Sequence, residues 1–452
     1  MIFQRKIYSK LLAWKEQSQG KEAILIEGAR RIGKSTICEE FAKKNYKSYI
    51  LIDFARTTDR IKECFNEHLN DFDTFFMILM TEYKTKLYER DSVIIFDEVQ
   101  NFPRAREAIK YLVADGRYDY IETGSLITIK ENVRNIIIPS EEKGLKMYPM
   151  DFEEFCWAFG EELLVEYIRK CFMDRVALER GLHNKAKLLF EQYMLVGGMP
   201  KSVVAFLENH RDFEKADAQK RLILNLYRND IMKIKSQYRS KVSSLFENIP
   251  GLLSKHEKKV VFNEIQQGTY AEQYRDTFFW LADSMVANIC FLCTDPNVGL
   301  SLNESRSSVK CYLGDGGLLV SHAFNENEIV ENDLYKQILN GKLGINKGMF
   351  YENVIAQILV SNGHKLYFYT NYNEEKHRND IEIDFLISNK SKLKYKVFPI
   401  EVKSGKNYST TSLLRFREKF KNRIGECYII HTQNYKEKDG IICIPSYMTI
   451  CL

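Results

Sequence analysis

The chain has 452 residues, more than one hydrophobic core ordinarily serves, so several domains are expected. Hydrophobic residues make up 45% and charged residues 28%, which excludes a disordered or fibrous chain. The 66 basic and 61 acidic side chains leave a formal charge of +5, a balance that argues neither for nor against a nucleic-acid partner.

The opening stretch MIFQRKIYSKLLAWKEQ has the mixed charged and apolar pattern of an amphipathic helix, with no apolar signal core and no small-residue cleavage site. No later run approaches the ~18 consecutive apolar residues of a spanning helix, so no membrane partner is expected. The 10 cysteines are scattered, which fits reduced thiols in a cytoplasmic protein. Cys290 and Cys293 form a lone CxxC inside the apolar run MVANICFLCTD, where core packing is a better reading than zinc.

Residues 1–150 alternate short β-rich runs with helical stretches. AILIEG (23–28), YILIDFA (49–55), SVIIFDE (92–98) and YIETGS (120–125) are the expected strands. Each apolar run closes on a small or acidic polar residue, as buried parallel strands of an α/β sheet do. Residues 151–235 read as helical, with GGMP at 197–200 as a break. Residues 236–325 alternate short helices with brief strands, compatible with a small helical or winged-helix module. The last domain, 326–452, is mixed α/β: helix YENVIAQILVSNG, strands YFYT, IEIDFLIS and VFPIEVKS, helix SLLRFREKF and strand CYIIHT.

GARRIGKS at 28–35 matches GxxxxGK[ST] between an apolar strand and a helical stretch, the setting that a phosphate-binding loop requires. Gly28 and Gly33 allow backbone to wrap phosphate closely, and the helix N-terminus adds its positive dipole end. Lys34 is expected on the β- and γ-phosphates of ATP, and Ser35 on Mg²⁺. Arg30, Arg31 and Thr36 complete the expected nucleotide contacts, although Thr36 sits one step deeper. Asp97 and Glu98 end an apolar strand; Asp97 suits the Mg²⁺ side and Glu98 suits a general base for the attacking water. At the following strand end, Thr123 or Ser125 is placed to orient phosphate or water, Ser125 being the chosen catalytic candidate. Arg104, Arg106 and Arg117 are candidates for an arginine finger across a subunit interface, but each reads more simply as an exposed helical Arg.

In the last domain Glu401 and Lys403 share one face of a strand, and Asp384 lies on the preceding strand. With Glu352 on the helix before them, they form a candidate divalent-metal site, Lys403 acting on water. From spacing alone, a half-solvated strand with Glu–Lys charge pairs is the better reading.

These strings together resemble AAA-type ATPases whose C-terminal half is a DUF4143 domain. The resemblance runs nearly end to end, through EGARRIGKST, IIFDEVQN, ETGSL, YPMDFEEF (148–155), VGGMP (196–200), YRNDI (227–231), YLGDGGLL (312–319), FYENVIAQ and EIDFLI…PIEVKSG. It implies an α/β P-loop AAA-like ATPase core, a helical lid, a winged-helix-like segment and a restriction-endonuclease-like domain of the PD-(D/E)xK type. It places the nuclease motif on Glu352, Asp384, Glu401 and Lys403. Many relatives have a basic or Gly-Ser turn where this chain has IPSEEKGLKM, so an arginine that other members contribute there is either missing or replaced by Lys143 or Lys146. Two functions follow as expectations. One is an ATP-driven enzyme that cleaves DNA with a second divalent metal. The other is a nucleotide-dependent switch whose far end only binds a partner, in either case with a possible homo-oligomer.

Overall fold

The computed structural model describes residues 1–124, 140–234, 236–255, 258–260, 271–326, 331–339, 346–373, 375, 378–388, 396–405 and 407–452. The chain divides into two compact units, Met1–Tyr148 with Asp283–Met285, and Pro149–Ala282 with Val286–Leu452.

In the first unit a helix, α1 (Lys6–Ser18), precedes a five-stranded sheet. Its strands are β1 (Ala23–Glu27), β2 (Ser48–Asp53), β3 (Ser92–Asp97), β4 (Asp119–Gly124) and β5 (Glu142–Lys146). They run in the order β2-β3-β4-β1-β5 with every pair parallel. β3 and β4 are buried throughout, as strands covered on both faces must be, which is why they read as continuous apolar runs. On one face Leu25, Ile52, Ile94, Phe96 and Tyr120 pack with Phe65, Phe75, Phe76 and Ile109. Those partners come from α3 (Asp59–Glu67), α4 (Phe72–Glu82) and α5 (Pro103–Asp115). α2 (Lys34–Asn45) packs against β2, β3 and β4. Because β4 stands between β1 and β3, with Ile26 opposite Thr123 and Phe96 opposite Glu122, the carboxyl ends of all three strands meet.

β5 has no apolar run in the sequence. It is an edge strand, EKGLK, with Lys143 and Lys146 exposed; an edge pairs on one side only, and charges there discourage pairing with another chain. It occupies the stretch in which the chain departs from its resemblance.

The second unit begins with helices, and strings that carry the resemblance help to pack them. Asp151 of DFEEF caps the helix Phe152–Ala158 in a capping box with Glu154. The Met150 N–H donates to the Gly198 carbonyl at 2.8 Å. A Cβ on Gly198 would lie 1.9 Å from the Met150 oxygen, so only glycine fits there. Asp315 of YLGDGGLL accepts from the Gly198 N–H at 2.6 Å and caps its own helix through the Leu318 N–H at 2.9 Å. Three of the family strings thus meet at one packing point.

The remaining strands form one mixed sheet, ordered β12-β13-β11-β10-β9-β8-β6-β7. β8 (Leu366–Asn373), β9 (Arg378–Ser388), β10 (Val397–Lys403) and β11 (Cys427–His431) are the expected far-end strands, followed by β12 (Lys436–Lys438) and β13 (Ile441–Pro445). The strands of the 236–325 segment are β6 (Ala287–Cys293) and β7 (Glu304–Leu313), and they extend this same sheet through parallel pairing of Cys290–Leu292 with Leu366–Phe368. No sheet boundary therefore falls near residue 326. Cys290 and Cys293 stand three residues apart on β6, an odd spacing that sends them to opposite faces; both are buried free thiols. The helix Lys347–Ser361 packs against β7 and β10, and the helix Thr411–Lys419 against β9. Among the described residues no helix is long and apolar enough to cross a membrane.

Candidate functional site

The loop after β1 turns with Arg31 and Gly33 at φ 66° and 94°, the left-handed region that glycine enters without strain. Gly28 is required for a different reason: a Cβ there would lie 2.4 Å from the Met147 carbonyl oxygen. Lys34 opens α2 and is buried, its ammonium donating to the Gly28 and Ala29 carbonyls at 3.0 and 2.9 Å. Burial pulls its pKa below the ordinary lysine value, against the pull of Glu98 and Asp97. Ser35 Oγ donates to Asp97 Oδ1 at 2.7 Å, and Thr123 donates to the same oxygen. Thr123 Oγ1 also accepts from the Glu98 N–H at 3.3 Å. Glu98 itself sits at φ 54°, a position that carries strain for a non-glycine residue, and its carboxylate accepts from the Gln100 amide. Thr36 and Arg31 are exposed and Arg30 is half-buried. Ser125 lies outside the described residues; among those described, Thr123 Oγ1 touches both the Asp97 carboxylate and the Glu98 N–H.

The three arginine candidates are all engaged within their own unit. Arg106 is buried rather than exposed, and grips Glu142 with two hydrogen bonds of 2.8 and 2.7 Å. Burial, with Glu142 beside it, pushes Glu122 well above the carboxylate range. Arg117 pairs with Asp115 at 2.9 Å and Asp73 at 2.7 Å, and Arg104 with Glu107 at 2.9 Å.

At the far end the structure does bring Glu352, Asp384, Glu401 and Lys403 into one neighbourhood, but lysines lie among them. Lys310 on β7 is 1% exposed. Its ammonium lies 3.4 Å from Glu352 Oε1 and 3.5 Å from Asp384 Oδ1. Lys258 pairs with Glu352 Oε2, and the Tyr312 hydroxyl donates to Oε1 at 2.5 Å. Asp384 Oδ2 accepts from the Val402 N–H at 2.9 Å, and Lys403 lies 2.7 Å from Glu401 Oε2. Burial lowers the pKa of Lys310, yet Glu352 and Asp384 outweigh it and hold the group charged; Glu352 is held below its ordinary range in return. Burial pushes Glu401 up to about 7. The expected metal set of Glu352, Asp384 and Glu401 is thus drawn to ammonium groups, and among the described residues no group of three or more His, Cys, Asp or Glu is arranged to hold a metal.

A family described as an AAA domain matches residues 20–156. The chain carries an AAA domain. Domains of unknown function match two further stretches, DUF8612 at residues 187–328 and DUF4143 at 347–448. Among solved structures, a Walker-type ATPase of Pyrococcus abyssi is 16% identical, with 71% of this chain and 96% of that one covered at a TM-score of 0.39. Cdc6p of Pyrobaculum aerophilum is 9% identical, with 71% and 94% covered at a TM-score of 0.29. Both likenesses are weak, and the assignment rests on the family match and the loop. No curated protein matches the chain in sequence.

Two residues of note in these sites, Arg5 and Lys310, escape sequence reasoning, and so does the choice between Thr123 and Ser125. Arg5, buried at the N-terminus of α1, donates to the Ile32 carbonyl at 2.9 Å and the Tyr148 carbonyl at 2.6 Å, bracing the phosphate loop. Thr123 and Ser125 are equivalent on paper until the strand end is fixed. Lys310 sits 42 residues from Glu352, with no spacing rule to connect them.

Proposed function

We propose that the AAA domain binds ATP with Mg²⁺ at Gly28–Ser35 and hydrolyses it. The observation that carries this is the meeting of Ser35 Oγ with Asp97 at 2.7 Å, directly beside Glu98 and behind the Lys34 loop. The residues present fit the implied group: a hydroxyl and a carboxylate converge where a hard cation is needed, and the loop backbone has no room for side chains at Gly28. Mg²⁺ held by Ser35 and Asp97 would supply charge neutralisation on the phosphates. Lys34 exchanges its two loop carbonyls for phosphate oxygens, and Arg30, Arg31 and Thr36 flank them. Glu98 orients the attacking water and takes its proton, while Thr123 fixes Asp97 and the Glu98 backbone. Glu98→Gln should keep ATP binding and lower turnover by roughly 10²–10⁴-fold; unchanged phosphate release would refute the role.

For the second unit, the lysines among the carboxylates favour the reading of a nucleotide-dependent switch whose far end binds a partner. The alternative is Mg²⁺- or Mn²⁺-dependent cleavage of DNA. Plasmid cleavage by the purified protein that disappears in Lys403→Ala would establish the alternative. ATP turnover raised by a protein partner and not by DNA would support the switch.

A further inference from the structure

The far-end centre contains its own cations. Glu352, Asp384 and Glu401 each face an ammonium group, from Lys258, Lys310 or Lys403, while Glu382, two residues before Asp384 on the same strand, adds a fourth acidic side chain whose charge also reaches Lys310 and Lys403. Lys310 is the central member. β7 and β9 are separated in the sheet by β6 and β8, so Lys310 meets Asp384 only by laying its long side chain along the sheet face. There its ammonium stands 5.3 Å from the centre of the Phe368 ring, an apolar surface that suits a fixed organic cation better than a hydrated divalent ion. Glu352 is satisfied on both oxygens, by Lys258 on one and by Tyr312 and Lys310 on the other. Glu401 is 1% exposed, and neither of its oxygens accepts a well-directed hydrogen bond among the described residues, so Lys403 is its compensation. Buried charge is tolerated only when paired, and Glu352, Asp384 and Glu401 each have a lysine. A divalent ion bound by the same carboxylates would stand against the buried Lys310 ammonium with like sign, where burial weakens screening.

We propose that the Lys310 ammonium is the resident counter-cation of this centre, filling the position that a divalent metal would otherwise take between Glu352 and Asp384. The second unit then carries Glu352 and Asp384 as a lysine-paired, metal-free polar core. This inference concerns the second unit alone and stands or falls independently of ATP hydrolysis.

The test is a Mn²⁺ titration of the full chain, stripped of metal and carrying Asp97→Asn to remove the loop's own metal ligand. Read by electron paramagnetic resonance, the Asp97→Asn protein should bind no Mn²⁺ at the far end. Adding Lys310→Met should create one site, lost again on Asp384→Asn. Binding by the Asp97→Asn protein that Asp384→Asn removes would overturn the proposal, as would a folded Lys310→Met protein that gains no site. Should Lys310→Met fail to fold, Lys310→Met with Glu352→Gln removes both charges of the pair. Recovery of the melting temperature in that double variant supports the pairing, and no recovery overturns it.

Discussion

Lys34 and Lys310 are both buried lysines at strand- or helix-borne sites, and their surroundings drive them in opposite directions. Lys34 rests on two neutral carbonyls of its own loop, so burial dominates and its proton is held less tightly than usual. Lys310 rests between two carboxylates that overcome the same burial. The first arrangement is a lysine held in readiness, because an arriving phosphate offers more than a carbonyl dipole does. The second is a lysine already matched, because removing either partner strands a charge. A buried lysine by itself therefore says little about function, and the charge of what it touches decides.

That contrast breaks most visibly in turnover. Lys34→Ala should lower ATP hydrolysis by roughly 10²–10³-fold, with little change in the melting temperature of the nucleotide-free protein; steady-state phosphate release beside a thermal melt checks both halves. Glu352→Gln should do the reverse. Losing one member of a buried pair costs about 3–5 kcal/mol, so urea denaturation should show the second unit weakened while ATP turnover per folded molecule is unchanged. A smaller effect comes from His431, which is neutral when folded: its Nε2–H donates to the Asn434 carbonyl at 3.1 Å and its Nδ1 accepts from Tyr408 at 2.9 Å. Burial takes its pKa down from 6.5 to about 4. As pH falls through that window the unfolded chain gains a proton that the folded chain refuses, so stability drops with acidification and levels off below it. His431→Gln should remove about 2 kcal/mol of that loss relative to the parent, measured as the difference between their denaturation midpoints at pH 6.5 and pH 4.

Much of the AAA domain is legible in the sequence because its requirements are local. Gly28, Gly33, Lys34 and Ser35 lie within eight residues, and Asp97 and Glu98 end a run whose apolar character announces a buried strand. What could not be read depends on partners distant in the chain. β5 has no pattern because an edge strand needs none. Arg106 resembles any charged helical residue until Glu142 is brought beneath it. At the far end, Glu352, Asp384, Glu401 and Lys403 were nameable from their strands and helix. Lys310 was not, because a lysine between Val309 and Cys311 reads as the solvent side of an alternating strand, whereas β7 buries all three. The strings YPMDFEEF, GGMP and YLGDGGLL carried the resemblance; that Met150, Gly198 and Asp315 from them meet at one packing point emerged only from their contacts.

The Arg5 brace has a practical side. One guanidinium ties the carbonyl of Ile32, inside the phosphate loop, to that of Tyr148, the residue at which the first unit ends. A preparation trimmed to begin at Lys6 keeps every residue of the nucleotide motif, yet it loses the tie that holds the loop against that last segment. Shortened or amino-terminally fused versions of this protein should therefore be judged by their nucleotide affinity before any loss of activity is blamed on the motif itself.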